Sequence, residues 1–404
     1  MVASDEPRRA LLLELLRAAL EAVDGRRRTR LTLERLVVGR DGDAALWAVA
    51  IGKAASCMAL GARDALGDRL ERVLIITKDG HVDAEALEIP GGEIRESSHP
   101  IPDRRSLEAG ARLLEFIGEL PAGTRPLFLV SGGASSLAEV LMPGVSLEAL
   151  RQLNEDGLAG GLAIETLNER RRRVSRIKGG RLASMLSGRR ALALFVSDVA
   201  HDDPAVIGSG LLGPAAEGAG SDDVERIVIA SLDDALEAVR ARAAGLTASV
   251  QTERFSGAVD RLAVRFAHET VLGPMELRAW GGESTIRLPV SPGRGGRNQH
   301  LALAAARLIA GREDVFLLAA GTDGTDGPTD DAGALVDGET CARAAAAGFD
   351  VDDCLRCANS GAALAAAGDL VHTGPTGTNV GDLVVGLQLS ASAARVWLHG
   401  RSGP

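Results

Sequence analysis

The sequence predicts an α/β protein of two domains, the first organised around a doubly wound, mostly parallel sheet. Three observations lead there. The chain has 404 residues, which at roughly 150 residues per domain is enough for two or three cores. Apolar runs of strand length alternate with stretches of helical periodicity, the order that βαβ units write into a sequence. Those runs give way to glycine, serine, lysine or aspartate, as expected where parallel strands hand over to helix-opening loops. Residues 7–24 carry leucine and alanine at helical spacing, and strands are predicted over 45–51, 72–77, 127–130, 191–196, 227–230 and 315–320. Each is apolar throughout, as a strand covered on both faces should be. Helices are predicted over 53–66, 104–119, 147–163, 234–245, 257–270 and 297–310. The small, polar stretch 215–223 (AAEGAGSDD) suggests a boundary, with one domain over 1–222 and the other over 223–404.

Composition narrows the partners. Hydrophobic residues make up 46% and charged residues 25%, ordinary globular usage. With 7 Phe, 3 Trp and no Tyr, little aromatic surface is left for stacking bases. The formal charge is −10, from 45 basic and 55 acidic residues; neither a phosphate backbone nor an anionic lipid surface is attracted globally. The expected partner is therefore a small molecule, not nucleic acid or membrane, and an anionic one must be held locally. No apolar run reaches the ~18 residues of a membrane span, and the N-terminal segment reads as an amphipathic helix, not a signal peptide. The four cysteines, at 57, 341, 354 and 357, suit a reduced, intracellular chain without a disulfide framework. Cys354 and Cys357 form a CxxC with no second ligand pair, so they read as incidental thiols. Only the last few residues, 400–404, look disordered.

Ligands of open parallel sheets gather at the carboxyl ends of strands, where free helix N–H groups meet the loops. The residues found there are Gly52-Lys53, Ser131-Gly-Gly-Ala-Ser-Ser136, Ser197-Asp198, Gly281-Gly-Glu-Ser284 and the acidic run 321–331 (GTDGTDGPTDD). Single junctions of this kind are ordinary turn and cap chemistry; their recurrence points to a site. The Ser131–Ser136 loop has what an anion cradle needs, paired glycines that let backbone N–H groups approach and hydroxyls beside them. Gly52-Lys53 lacks the upstream glycine of a Walker loop, and Gly293–Asn298 fails GxGxxG, which removes most support for a dinucleotide enzyme. The run 321–331 fails EF-hand spacing, leaving its carboxylates free to meet a phosphate-bound Mg²⁺. Arg170–Arg173 is either a solvated helix face or a source of guanidinium forks for a carboxylate or phosphate. The loop His372–Asp382 is a further polar turn before an apolar strand.

In one order along nearly the whole chain stand AIGKAASCMA (50–59), SGGASS (131–136), Asn168 with its arginines, SRIKGGRLA (175–183), SDVAHDDPAVIGSG (197–210), GGESTI (281–286), GGRNQHLAL (295–303), GTDGTDGPTD (321–330) and HTGPTGTNVGDL (372–383). This set resembles the type II glycerate kinases, the glycerate 2-kinase family that ends in a MOFRL domain. The resemblance implies a Rossmann-like α/β domain followed by a second α/β domain of MOFRL type, in a cytoplasmic enzyme. The implied reaction phosphorylates D-glycerate at its 2-hydroxyl with ATP and Mg²⁺; a homodimer is its candidate assembly. It implies catalytic roles for Lys53, Asp198 and Arg297. Substrate or nucleotide binding falls to Ser131, Gly132, Gly133, Ser135, Lys178, Asn298, Asp323, Thr325, Asp326 and Asn379, with Asp198 and Asp323 as metal carboxylates. The sequence departs from the family pattern at Ala134, His201 and Leu211-Leu212, where Gly, Gly and Pro-Thr are usual; these changes are expected to tune ligand affinity. A hydroxypyruvate reductase and a non-catalytic member that binds a small acid stay open as alternatives.

Overall fold

The computed structural model describes residues 6–37, 45–159, 164–186, 188–214 and 223–400. The boundary stretch therefore lies outside the described residues except for Asp223, as do 160–163 of the expected helix and the tail beyond Gly400. The chain forms two units, one of Val23–Ser231 with Gly377–Val380, the other of Met1–Ala22, Leu232–Thr376 and Gly381–Pro404.

In the first unit six strands are described: β1 (Leu46–Ile51), β2 (Leu70–Lys78), β3 (Gly92–Ser97), β4 (Pro126–Val130), β5 (Ala191–Val196) and β6 (Val224–Ala230). Their order is β3-β2-β1-β4-β5-β6, and every neighbouring pair is parallel. The order reverses between β1 and β4, which makes the carboxyl ends of those two strands the crevice of a doubly wound sheet. Val49, Ile51, Phe128, Val130 and Phe195 project into one apolar core with Leu113 and Phe116 of the helix Arg104–Gly118. The apolar strands lie where periodicity predicts them. The edge strand β3 (GEIRES) escaped that pattern because most of its side chains are polar and exposed to some degree.

The second unit's strands are β7 (Ala248–Val250), β8 (Phe255–Ala258), β9 (Leu277–Thr285), β10 (Val315–Gly321), β11 (Gly333–Asp337), β12 (Leu370–Val371) and β13 (Asp382–Gln388). They run β12-β11-β10-β13-β9-β7, with β8 also on β9. Here the sheet is mixed: β10 is antiparallel to both β11 and β13, and β13 to β9. The apolar run 315–320 thus lies between two antiparallel neighbours and is nevertheless buried along its whole length. One side is covered by the helices Val259–Val271 and Arg297–Leu308.

The expected division at 222–223 does not coincide with these units. Val224–Ala230 is the edge strand of the first sheet, in register with β5 from Ala191↔Val224 onward. At the other end, the helix Pro7–Ala22 packs on the helices Leu232–Arg242 and Ala391–His399 of the second unit. It buries Leu11, Leu12, Leu15 and Leu16 completely. Arg9 fastens the helix, donating to Asp337 at 2.6 Å, Asp369 at 2.8 Å and the Leu335 carbonyl. Among the described residues no helix is long and apolar enough to cross a membrane.

The Arg9 cluster yields a stability test. Asp369 is 2% exposed and is shared between Arg9 and Arg343. Arg9→Met should destabilise the protein by about 1–2 kcal/mol, less than for a buried pair stripped of its only partner because Arg343 remains. Thermal unfolding of the variant beside the parent protein measures it.

Candidate active site

In the first unit the site begins where β1 ends. Gly52 has φ +133°, and a side chain there would collide with Ser131. That close passage lets two loops share hydrogen bonds: the Lys53 N–H donates to the Gly132 carbonyl at 2.9 Å and the Ala54 N–H to Ser131 Oγ at 3.0 Å. Ser131 is fully buried and its hydroxyl oxygen serves this joint. Thr77 closes the turn from β2, its hydroxyl donating to the Gly52 carbonyl.

Gly132 and Gly133 follow, closely approached by other side chains of this unit. A side chain at Gly132 would run into Asp198 Oδ2 and Asn379 Nδ2, and Asn379 donates to that same Asp198 oxygen at 3.3 Å. At Gly133, which has φ +85°, a Cβ would lie 3.2 Å from Lys53 Cγ and 3.2 Å from His99 Cδ2. Lys53, Asp198 and Asn379 thus lie around Gly132 and Gly133, and His99 lies beside Gly133. Ser135 lies one turn on, its hydroxyl 2.5 Å from that of Ser209, which donates to Asn168 Oδ1 at 2.8 Å.

The basic residues between them are used differently from the expectation. Lys178, 1% exposed, forms a buried ion pair with Glu139, which is itself fully enclosed. Desolvation pulls the lysine below its ordinary pKa, while Glu139 works to raise it. Its ammonium is committed within the fold, so the ligand-binding role does not match its place. Arg171 is buried as well and forks onto Asn154 Oδ1, with burial lowering its pKa to about 10. Arg172 donates to the carbonyls of Ala205 and Ser209. In both cases the guanidinium holds this chain's own oxygens.

The departures at Ala134, Leu211 and Leu212 lie in the hydrophobic core of this unit, each at most 1% exposed. They fill volume, which is the reason they are apolar. His201 has φ +68°, a left-handed conformation that explains why glycine suits that position better.

In the second unit Asp326 accepts from the N–H groups of Asn298 at 3.1 Å and Gln299 at 2.7 Å. It caps the helix Arg297–Leu308 from a distant loop, because Gly296 at the cap position has no side chain to do so. Burial pushes the Asp326 carboxyl up to about 7 against those two amides. The cap fixes Arg297 and Asn298 at the helix start. Asn298 donates to Asp382 Oδ1 at 3.0 Å; Arg297 donates to Glu283 at 2.9 Å and to the Ser284 carbonyl at 3.0 Å, and lies 3.5 Å from Asp382 Oδ2. Desolvation opposes the Arg297 charge, but Asp382 and Glu283 outweigh it and hold its pKa above the ordinary value. Burial raises Asp382 to about 6, with Arg297 pulling the other way. Asp323, also buried, accepts from the Thr325 N–H at 3.0 Å in a local turn, so Thr325 contributes backbone there.

Asp382, Glu283 and His99 were not singled out by sequence reasoning as site residues. Asp382 opens β13 directly opposite Gly321 and Gly282, a register that depends on antiparallel pairing. Asp382 Oδ2 and Asn298 Oδ1 are buried oxygens that accept no hydrogen bond. Such hard oxygen donors fit Mg²⁺, which takes one or two protein carboxylates and completes its shell with water and phosphate. Among the described residues no group of three or more His, Cys, Asp or Glu is arranged to hold an ion by itself.

The fold is that of an α/β protein with a glycine pair beside Lys53 and Asp198 in the first unit and, separately, a cluster of buried acids in the second. Comparison with known proteins is more specific. Residues 11–240 match a domain of unknown function, DUF4147, and residues 277–382 match the MOFRL family. A D-glycerate 2-kinase of Thermotoga maritima is 35% identical over 95% of this chain and 99% of its own. An Agrobacterium vitis protein provisionally named a hydroxypyruvate reductase is 34% identical over 83% of this chain and 97% of its own. The crystal structure of a Thermotoga maritima glycerate kinase superposes with a TM-score of 0.78 at 34% identity, covering 94% of this chain and 99% of that one. The chain belongs to the glycerate kinase family with a MOFRL domain.

The structural reading of Lys178 can be tested directly. Lys178→Met strands Glu139 in the core and should cost about 3–5 kcal/mol. The double variant Lys178→Met/Glu139→Gln should recover much of that in thermal melts, since the pair is removed together. Recovery of stability without recovery of activity would return Lys178 to the ligand.

Proposed function

We propose that the protein transfers the γ-phosphoryl group of ATP to the 2-hydroxyl of D-glycerate, giving 2-phospho-D-glycerate and ADP, with Mg²⁺ as cofactor and in the cytoplasm. The observation that carries the reading is the cluster at Gly132 and Gly133, two glycines that let Lys53, Asp198 and Asn379 approach the backbone where a Cβ on Gly132 would collide with Asp198 and Asn379. Membership of the glycerate kinase family supports the substrate class, and the four free thiols suit a reducing compartment.

Phosphoryl transfer asks the protein for alignment and charge neutralisation. The glycerate O2–phosphorus bond forms as the bond to the β-phosphate bridging oxygen breaks. Asp198 receives the hydroxyl proton, and Asn379, donating to the same carboxylate, holds it in place. Lys53 neutralises charge on the transferring group. In the second unit Arg297, fixed by Glu283 and the Ser284 carbonyl with Asn298 beside it at the helix start, is a cation able to meet a phosphate oxygen. In the second unit Asp323 and Asp382 are carboxylates available to Mg²⁺, which would screen phosphate charge when bound. Ser131 and Asp326 act by shaping the loops, and Ser135 presents its hydroxyl at the helix start.

The direct test is ADP release with D-glycerate, L-glycerate and hydroxypyruvate in the presence of Mg²⁺. Coupling to enolase without phosphoglycerate mutase identifies the 2-phosphate. No glycerate-dependent turnover sinks the proposal. Oxidation of NADH by hydroxypyruvate would instead favour the reductase, and calorimetric glycerate binding without ATP consumption a non-catalytic protein.

Two substitutions separate the roles. Lys53→Met keeps length and packing while deleting charge, and should lower turnover roughly 10²–10³-fold, about 3–4 kcal/mol of transition-state stabilisation, with a much smaller change in the Michaelis constant for ATP. Asp198→Asn should lower turnover ~100-fold or more while the melting temperature stays near that of the parent. Normal turnover in either variant removes that residue from the chemistry.

A further inference from the structure

We propose that the outer edge of β3 is the surface through which two copies of this chain pair, antiparallel and centred on Ile94, joining their six-stranded sheets into one. This surface stands apart from the proposed phosphorylation and does not depend on it.

β3 ends the sheet on its side, and among the described residues no further strand pairs with it. The Val73 N–H donates to the Gly91 carbonyl at 3.2 Å and the Asp79 N–H to the Ser97 carbonyl at 3.3 Å. In a parallel ladder such bonds recur at every second residue, so Glu93 and Arg95 turn their backbone to β2, while Ile94 and Glu96 turn theirs outward. An edge of this kind is a ready template for another strand. The side chains alternate as well. Glu93 and Arg95 share one face, where they are paired at 2.9 Å. On the other face Ile94 and Glu96 line a hollow with Val82, Ala84 and Leu87, and Leu87 is 69% exposed.

Charged residues usually keep a free edge from pairing; here their order admits one register. Opposed residues of an antiparallel pair are either both hydrogen-bonded or both not, so a two-fold axis must pass through a residue position. Centred on Glu93, Arg95 or Glu96, the ladder sets that residue against its own copy, and like charges directly opposite repel. A centre at Gly92 sets Ile94 opposite Pro90, which has no N–H to give, and Ser97 is fully buried. Centred on Ile94, each Glu93 faces the partner's Arg95. The copies of Ile94 exchange N–H and C=O, and each Glu96 N–H meets the partner's Gly92 carbonyl; the Gly92 N–H is already given to Ile89 at 2.9 Å. The Glu96 side chain accepts from the Gly80 N–H and lies opposite a glycine, so no like charge meets it. Ile94 against its copy brings the two apolar hollows together and gives Leu87 apolar cover.

Analytical ultracentrifugation of the full-length chain at micromolar concentration should show a species of twice the mass of the chain. Arg95→Glu leaves two acids on the shared face of each copy and should raise the dimer dissociation constant about tenfold or more. Glu93→Arg should do the same with two bases, and mixing the two variants should restore dimers, because unlike charges then face each other at both positions. Ile94→Cys places two thiols on the axis at a Cα separation of about 5.5 Å, which a disulfide spans. Oxidised glutathione should link that variant covalently and leave the parent protein unlinked. A monomeric parent overturns the inference. So does a dimer that Arg95→Glu leaves intact or that Ile94→Cys fails to link, since the copies then meet elsewhere. Circular dichroism establishes that each variant is folded; should Glu93→Arg fail there, having lost its bond to Arg112, Arg95→Glu and the cross-link still decide.

Discussion

The passage of Gly52 directly against Ser131 is the constraint on which the first unit's site depends. Two neighbouring parallel strands, β1 and β4, end at the same height, and their loops must cross within backbone hydrogen-bonding distance. A Cβ at Gly52 would forbid it. Because none is there, the Lys53 amide reaches the Gly132 carbonyl and the Ala54 amide reaches Ser131. The Lys53 stem then passes against Gly133, and Asp198 and Asn379 close on Gly132. Every polar group of that cradle is placed by loops tied to rigid strands, the condition under which a few side chains can be held to the tolerance that chemistry requires.

The second unit reaches a comparable precision by other means. Its sheet is antiparallel where the acids gather, so that Asp382 faces Gly321 and Gly282 across two ladders. Asp326 supplies the helix cap that Gly296 cannot, and in doing so aligns Arg297 and Asn298 with Asp382. Burial then raises Asp326 and Asp382 toward neutrality, which makes these carboxyls sensitive to any cation or anion brought beside them. The energetic cost of enclosing such groups is tolerated because guanidinium, amide and backbone N–H groups meet most of their oxygens.

Buried charge separates residues that shape the fold from residues that meet a ligand. Lys178 and Glu139 neutralise each other in the first unit's interior, and Arg171 spends its fork on Asn154. The Lys178 ammonium is thus held by Glu139 in the interior, and the stem of Lys53 passes against Gly133. His201 is the reverse case of a polar residue in a position shaped for glycine; its left-handed backbone is a local strain of the kind that clusters near functional loops.

By itself the sequence determined the strands and helices of strong periodicity, the recurrence of small and charged residues at strand ends, and the ordered motifs that mark the family. Apolar runs such as ALALFV and the helix-forming stretch after Lys53 carry that information locally, because burial on both faces or on one stripe dictates residue type at each position. What the sequence left open depended on contacts between residues far apart in the chain. The polar edge strand β3, the break between units at Ala22 and Ser231, and the antiparallel partners of β10 have no local signature. The capping role of Asp326, the enclosure of Lys178 by Glu139, and the arrival of His99 beside Lys53 were likewise decided only by tertiary structure. A lysine, an aspartate or a histidine has the same chemistry in any sequence; whether water, a buried counter-ion or a ligand answers it is set by what the fold packs around it.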